Sequence, residues 1–257
     1  MAIKLGVIGV GDLTEKMLRG LYRAGHELQV HLSPRNKERG EKLALELGCV
    51  PQQSNQAVVD ASDVLLIGVR PAQLNELAQQ VQLRPEQALV SVVIGVPVAE
   101  LQTLFGIADC SRAMLSGAAE INRSSVAVYP SGSMAEQLLA PLGQLIVLDS
   151  EREFELATVG ACINGWSYFL LQELQQWMQH KGLPTERARA LVLSAFEDSV
   201  AYARHRSDVS AGDIGRSIAL PHTFTAQGLA VLQQHGAPAA WVDACEQVFE
   251  GLLQAKR

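Results

Sequence analysis

Residues 3–14 read Ile-Lys-Leu-Gly-Val-Ile-Gly-Val-Gly-Asp-Leu-Thr. Ile3 to Ile8 is a short apolar run with strand character, and Gly9-Val10-Gly11-Asp12-Leu13-Thr14 leads straight into a segment with helical spacing. The order matters more than the glycines themselves. A strand that ends in a glycine turn and feeds a helix presents backbone N–H groups to a pyrophosphate, with the helix dipole behind them. Gly9 permits the tight turn, and Gly11 lets phosphates approach the backbone. Thr14 stands where the usual pattern has Gly or Ala. A plain strand–turn–helix with no ligand is the competing reading; the correct order at the start of the chain favours a dinucleotide.

Outward from this turn the first 110 residues or so alternate strand and helix. Met17, Leu18 and Leu21 carry a helix over Glu15 to Ala24, ended by Gly25; Glu27 to Leu32 is a second strand, followed by the turn Ser33-Pro34-Arg35-Asn36. Lys37 to Leu47 is helical up to Gly48, Val50 is a short strand, and Asn55 to Ala61 a helical turn. Val64 to Val69 and Ala88 to Ile94 are continuous apolar runs of the kind buried on both faces of a parallel sheet. Helices over Gln73 to Val81 and Val98 to Phe105 alternate with them, which predicts a parallel sheet with right-handed crossovers.

The second half changes character. After a strand-like Leu145 to Leu148, a long helix runs from about Glu151 to His180, and Gly182-Leu183-Pro184-Thr185 breaks it, with Thr185 as the N-cap of the next helix. Further helices are read over Glu186 to Arg204, Thr223 to Gln234 and Ala239 to about Gln254, with no strand signal after residue 150. The expectation is an α/β domain over 1–150 and an all-α domain over 151–257. Phe154 to Met178 is apolar on more than one face, through residues such as Val159, Trp166, Phe169 and Leu174. A helix apolar all round is covered on all sides. About a hundred residues of helix cover it poorly alone, which points to a second subunit, the alternative being burial within its own domain.

Composition narrows the function classes. The 257 residues are 48% hydrophobic with a net charge of −6, and no basic block suggests nucleic acid. No stretch has the roughly 18 uninterrupted apolar residues of a membrane span, and no secretory leader is read. Cys49, Cys110, Cys162 and Cys245 lack CxxC spacing, as in a cytoplasmic protein with reduced thiols, and the six histidines form no ligand pair, so no metal is expected.

NAD-binding turns of this type carry an Asp or Glu about 20 residues past the glycines to hold the ribose 2′-OH. Here the second strand ends His31-Leu32-Ser33-Pro34-Arg35-Asn36, with no acid. Ser33 can hydrogen-bond a phosphate and Arg35 can pair with one, which suits the 2′-phosphate of NADPH better than NADH. A solvated surface arginine beside a turn proline is the alternative.

Several segments together resemble the pyrroline-5-carboxylate reductase family, nearly end to end and in order. Gly9 to Thr14 resembles the family's GxGNMA turn, and Ser62 to Pro71 (SDVLLIGVRP) its ADVVILAVKP strand and loop. Leu89 to Val96 (LVSVVIGV) resembles the next strand, which usually ends AGI. Asn164 to Tyr168 stands at SGPAY, and Lys181-Gly182-Leu183-Pro184 at NGLP. Asp213 to Leu229 (DIGRSIALPHTFTAQGL) aligns without gaps with ELRDMVTSPGGTTIAAL. The resemblance implies a Rossmann domain followed by an all-α domain that interlocks with a partner subunit as a homodimer or larger homo-oligomer. It implies hydride transfer from NADPH to the carbon of a cyclic C=N bond, in a site between the nicotinamide and the neighbouring subunit's SPGGTT loop. Carried over by residue, the cofactor contacts are Gly9, Gly11, Asp12, Leu13, Ser33, Arg35, Asn55, Val69 and Pro71. The second Thr of SPGGTT, a proton donor, falls on Thr225.

The departures gather in the pocket. SPGGTT reads Leu220-Pro221-His222-Thr223-Phe224-Thr225, and RxMPNTP reads Arg112-Ala113-Met114-Leu115-Ser116-Gly117-Ala118. In the family the loop glycines bring helix-start N–H groups to a carboxylate; His222, Thr223 and Phe224 add side chains there. His222 is a candidate proton donor to the imine nitrogen, or partner for a carboxylate, or else a surface histidine. Asn164, Pro221, Thr223 and Phe224 are candidate substrate contacts, with Asn164 equally able to bond a neighbouring helix. The leading reading is a reductase of pyrroline-5-carboxylate or a related imine. A β-hydroxyacid-type dehydrogenase would use a Lys on the long helix, and Glu151 to Met178 contains none. An NADP-binding regulatory protein without catalysis is the third reading, kept open by the altered LPHTFT segment.

Overall fold

The computed structural model describes residues 2–254. The chain divides into two compact units, residues 2–161 with 251–254 and residues 162–250.

The first unit is built on an eight-stranded sheet with strand order β3-β2-β1-β4-β5-β6-β7-β8. β1 (Ile3–Ile8) lies at the centre, flanked by β2 (Leu28–Leu32) and β4 (Val64–Ile67), both parallel to it. β3 (Val50–Pro51) and β5 (Ala88–Ser91) extend the parallel sheet on either side. The crossover helices are α1 (Asp12–Arg23), α2 (Lys37–Leu47), α3 (Asn55–Asp60), α4 (Leu74–Gln80) and α5 (Val98–Phe105). The strand order reverses at β1, so the crevice beyond the ends of β1 and β4 is the topological switch point where such sheets bind ligands. Alternate side chains of each strand enter opposite cores. Leu66 and Val90 pack with Met17, Leu18 and Leu21 of α1, while Leu65, Ile67 and Leu89 pack with Val58, Leu74 and Leu101. Each such buried aliphatic side chain contributes about 1.5–3 kcal/mol.

Beyond β5 the sheet departs from the expectation. β6 (Cys110–Met114), β7 (Ser124–Tyr129) and α6 (Met134–Leu139) fill a region to which the sequence reading assigns no element, and β7 runs antiparallel to β6. The sheet is therefore mostly, not wholly, parallel, and β8 (Gly143–Val147) closes its edge parallel to β7. β6 escapes a hydropathy reading because Ser111 and Arg112 sit in its middle although all five of its residues are buried. Arg112 is fully buried; its Nη1 donates to Glu151 and, at 2.8 Å, to Oε1 of the equally buried Glu155, while its guanidinium lies 4.0 Å from the centre of the Phe154 ring. Glu151 Oε1 also accepts the Val98 N–H at the start of α5, at 2.7 Å. The two carboxylates and the ring all belong to the first turns of α7 (Glu151–His180), so a buried charge cluster roots that helix on the sheet.

In the second unit α7 continues into α8 (Thr185–His205), α9 (Ala211–Ile218), α10 (Phe224–Gln234) and α11 (Ala237–Gln254), with no strand among the described residues after 147. Pro184, not Thr185, occupies the N-cap position of α8; proline's fixed φ suits the turn, and Thr185 is the first helical residue. α9, eight residues long, is absent from the sequence reading, and its cap is Ser210, whose Oγ accepts the Asp213 N–H. Past Ala161 α7 has no buried residue; Tyr168, Phe169 and Trp177 are all more than half exposed on this one chain. Trp166 packs against Trp241 of α11 with ring centres 6.2 Å apart. No described helix is long and apolar enough to cross a membrane, and no described cluster of His, Cys, Asp or Glu could hold a metal ion.

Candidate active site

The turn between β1 and α1 is fixed by close approach and by short hydrogen bonds. Gly9 has φ +94°, and a Cβ there would sit 2.6 Å from the carbonyl carbon of Gly68 at the end of β4. Gly11 faces open space, so its missing side chain leaves the backbone accessible. Thr14, the apparent misfit, locks the turn: Oγ1 donates to the Gly9 carbonyl at 2.9 Å and accepts the Gly11 N–H at 2.8 Å. Its methyl fills the space that any side chain at Gly68 would need. The Gly9 N–H in turn donates to Ser33 Oγ at 3.1 Å. Both glycine N–H groups are thus engaged inside the protein. Among the donors left to an anion are those of the first helical turn, such as Asp12 and Leu13, which have no carbonyl partner within α1.

Around this turn opens a cleft of about 1250 Å³. Six expected cofactor residues line it: Gly9, Gly11, Ser33, Arg35, Asn55 and Val69. Asp12, Leu13 and Pro71 lie beside it in sequence but outside its lining. The Asp12 carboxyl is held below its ordinary range, chiefly by its hydrogen bond with Lys16 at 2.7 Å. Ser33 is buried, with its oxygen already accepting from Gly9 and its own O–H still available to donate. Asn36, the N-cap of α2, accepts the Arg39 N–H and donates through Nδ2 to the Val10 carbonyl at 3.1 Å, tying α2 to the glycine turn. Lys37, Glu38, Arg70, Glu76 and Gln80 also line the cleft, and the sequence reading singles out none of them. Lys37, two places after Arg35, is the one legible signal among them: a second cation at a phosphate-binding turn.

The catalytic and substrate candidates lie in the second unit. Asn164 is exposed on α7, and the other five surround the start of α10. His222 has φ +69°, so this histidine keeps a conformation that favours glycine. Thr223 is the N-cap of α10: Oγ1 accepts the Ala226 N–H at 3.1 Å and donates to the Leu220 carbonyl at 2.8 Å. One helix-start N–H that a glycine would leave for an anion is therefore taken by the protein itself. Pro221, His222 and Thr225 are exposed, and the Phe224 side chain is 89% exposed.

Comparison with known proteins places these parts. Residues 4–95 match the family described as NADP oxidoreductase, coenzyme F420-dependent, and residues 151–252 match the pyrroline-5-carboxylate reductase dimerisation family. The pyrroline-5-carboxylate reductase of Pseudomonas aeruginosa is 25% identical over 92% of this chain and 90% of its own length. Among solved structures, the 1-pyrroline-5-carboxylate reductase of Streptococcus pyogenes superimposes with TM-score 0.86 at 23% identity, covering 99% of this chain and 98% of that one. The pyrroline carboxylate reductase of Plasmodium falciparum, with NADP bound, gives TM-score 0.86 at 18% identity over the same shares. By the order of its two domains and by its relatives, this chain is similar to pyrroline-5-carboxylate reductases along nearly its whole length.

Proposed function

We propose that this protein reduces the C=N bond of a cyclic imine with NADPH, the substrate being pyrroline-5-carboxylate, which gives proline, or a related ring. The observation that carries the reading is the cleft at the switch point, where the Gly9–Gly11 turn and Arg35 face one space with no acid at the end of β2. When bound, NADPH supplies a hydride for the imine carbon. The first turn of α1 holds the pyrophosphate, the Ser33 hydroxyl and the Arg35 guanidinium hold the 2′-phosphate, and Asn55, Val69 and Pro71 flank the rest. Thr225 Oγ1 or the His222 imidazole gives the imine nitrogen its proton, so that hydride and proton together complete the amine. Asn164, Pro221, Thr223 and Phe224 shape the substrate's surroundings.

The protein acts as a homodimer in the cytoplasm on this reading. The exposed aromatic residues of α7 are the surface a second copy covers, and light scattering at micromolar concentration should return twice the chain mass, not the mass of one chain. The dehydrogenase alternative lacks its base, since α7 contains no lysine. A panel of cyclic imines with and without a carboxylate, assayed for NADPH consumption, tests the proposal. Consumption with at least one imine separates the enzyme from a regulator that binds NADPH and does nothing with it. The occupied Ala226 N–H and the bulk of His222 and Phe224 favour an imine with a weaker claim on that anion site.

A further inference from the structure

One wall of the cleft carries a directed chain of hydrogen bonds. Asn55 begins α3, Glu76 and Gln80 stand one turn apart on α4, and all three line the cleft. Gln80 Nε2 donates to Glu76 Oε1 at 3.1 Å, and Asn55 Nδ2 donates to Gln80 Oε1 at 3.0 Å. Chemistry alone dictates these directions. A carboxylate oxygen accepts, so Gln80 must turn its NH₂ to Glu76 and its carbonyl to Asn55, and Asn55 must answer with its own NH₂. The end of the Asn55 amide held away from Gln80 is then the carbonyl oxygen Oδ1. An oxygen acceptor suits a hydroxyl or amino group and repels a phosphate.

The position of Asn55 says which half of a dinucleotide it meets. In this architecture the end of β2 lies at the adenosine ribose. Asn55 follows β3, the strand next to β2 on the side away from β1. We propose that Glu76 and Gln80 are positioning residues that orient the Asn55 amide, so that its Oδ1 accepts a hydrogen bond from the adenosine half of the cofactor. This rests on the cofactor reading of the cleft. The donor is the adenine amino group or a ribose hydroxyl, and the base-modified probe below distinguishes them.

Fluorescence titration of NADPH and NADH onto the purified protein tests the proposal without an imine. Gln80→Met keeps the length of the side chain and removes both hydrogen bonds. It should weaken NADPH and NADH alike by about threefold to tenfold, the scale of one hydrogen bond. In an Asn55→Ala background the same change should add nothing, because there is no amide left to orient. With the hypoxanthine analogue of NADPH, whose base lacks the amino group, disappearance of the Asn55→Ala effect names that group as the donor, and its persistence names the ribose. Three results overturn the inference: unchanged affinity in Gln80→Met, a full loss remaining in the Asn55→Ala background, or a loss confined to NADPH. A wild-type protein that binds neither dinucleotide overturns the cofactor reading itself, a different failure.

Discussion

The glycine turn of the first unit and the 220–225 segment of the second are both loops that open a helix, yet they use their polar groups differently. At the turn, Thr14 and Ser33 take up the N–H groups of Gly11 and Gly9, and the backbone is fixed before any ligand arrives. At the second loop, His222 keeps the backbone geometry of a glycine and Thr223 caps the helix, but the side chains of His222, Phe224 and Thr225 stand in solvent. Recognition of a cofactor can thus be written into backbone and short internal hydrogen bonds. On the proposed function, recognition of a substrate would be left to exposed side chains that can vary without disturbing the fold.

The largest effect is expected where the rigid half is anchored. Arg112→Met removes the Arg112–Glu155 ion pair from the interior, and breaking one side of a buried ion pair costs about 3–5 kcal/mol. Urea unfolding should show that loss; a change below about 1 kcal/mol would mean that the cluster does not root α7.

Next comes the cleft. Arg35→Ala should weaken NADPH binding by about 1.5–3 kcal/mol, the worth of a hydrogen bond to a charged group, and leave NADH nearly untouched. Equal affinity of the wild type for the two cofactors would remove the case for a 2′-phosphate site. Glu38, a carboxylate in the same lining, makes this a real test.

Much of the glycine turn was legible in the sequence and little of the 220–225 segment. Gly9, Gly11 and Arg35 were readable because each lies where a strand, a turn and a helix start follow within a few residues, although the contacts of Gly9 with Gly68 and Ser33 came only from the structure. Thr14 looked like a misfit because a pattern of residue types does not show a side chain bonding back to its own turn. The Arg112 cluster was invisible for another reason: its partner Glu151 lies 39 positions away, and a buried strand carrying Ser111 and Arg112 does not read as apolar. At the 220–225 segment alignment supplied the residues but not the conformation. That His222 adopts a left-handed backbone, and that Thr223 caps α10 instead of continuing it, came only from the structure.

Smaller effects probe the exposed loop. Thr225→Val preserves shape and removes the donor, so kcat should fall with cofactor affinity unchanged; a general acid is typically worth about 10²–10⁴-fold, but water can substitute, so a loss of roughly tenfold already supports the role. His222→Gly relieves the left-handed backbone, worth about 1–2 kcal/mol, against the entropy cost of glycine, about 0.5–1 kcal/mol. Thermal unfolding should therefore move up slightly or not at all. If His222 sets specificity, the same variant should also turn over pyrroline-5-carboxylate better than the wild type. Unchanged kinetics in both variants on every active imine would show that the loop does not carry the chemistry.

Hydride transfer to an imine carbon is tested most directly by following the hydrogen itself. Single turnovers with NADPH deuterated at the transferable position and an excess of cyclic imine should give an amine carrying one deuterium at the former C=N carbon. NADPH that binds tightly yet leaves every imine of the panel unlabelled would contradict the assignment of this protein as an imine reductase.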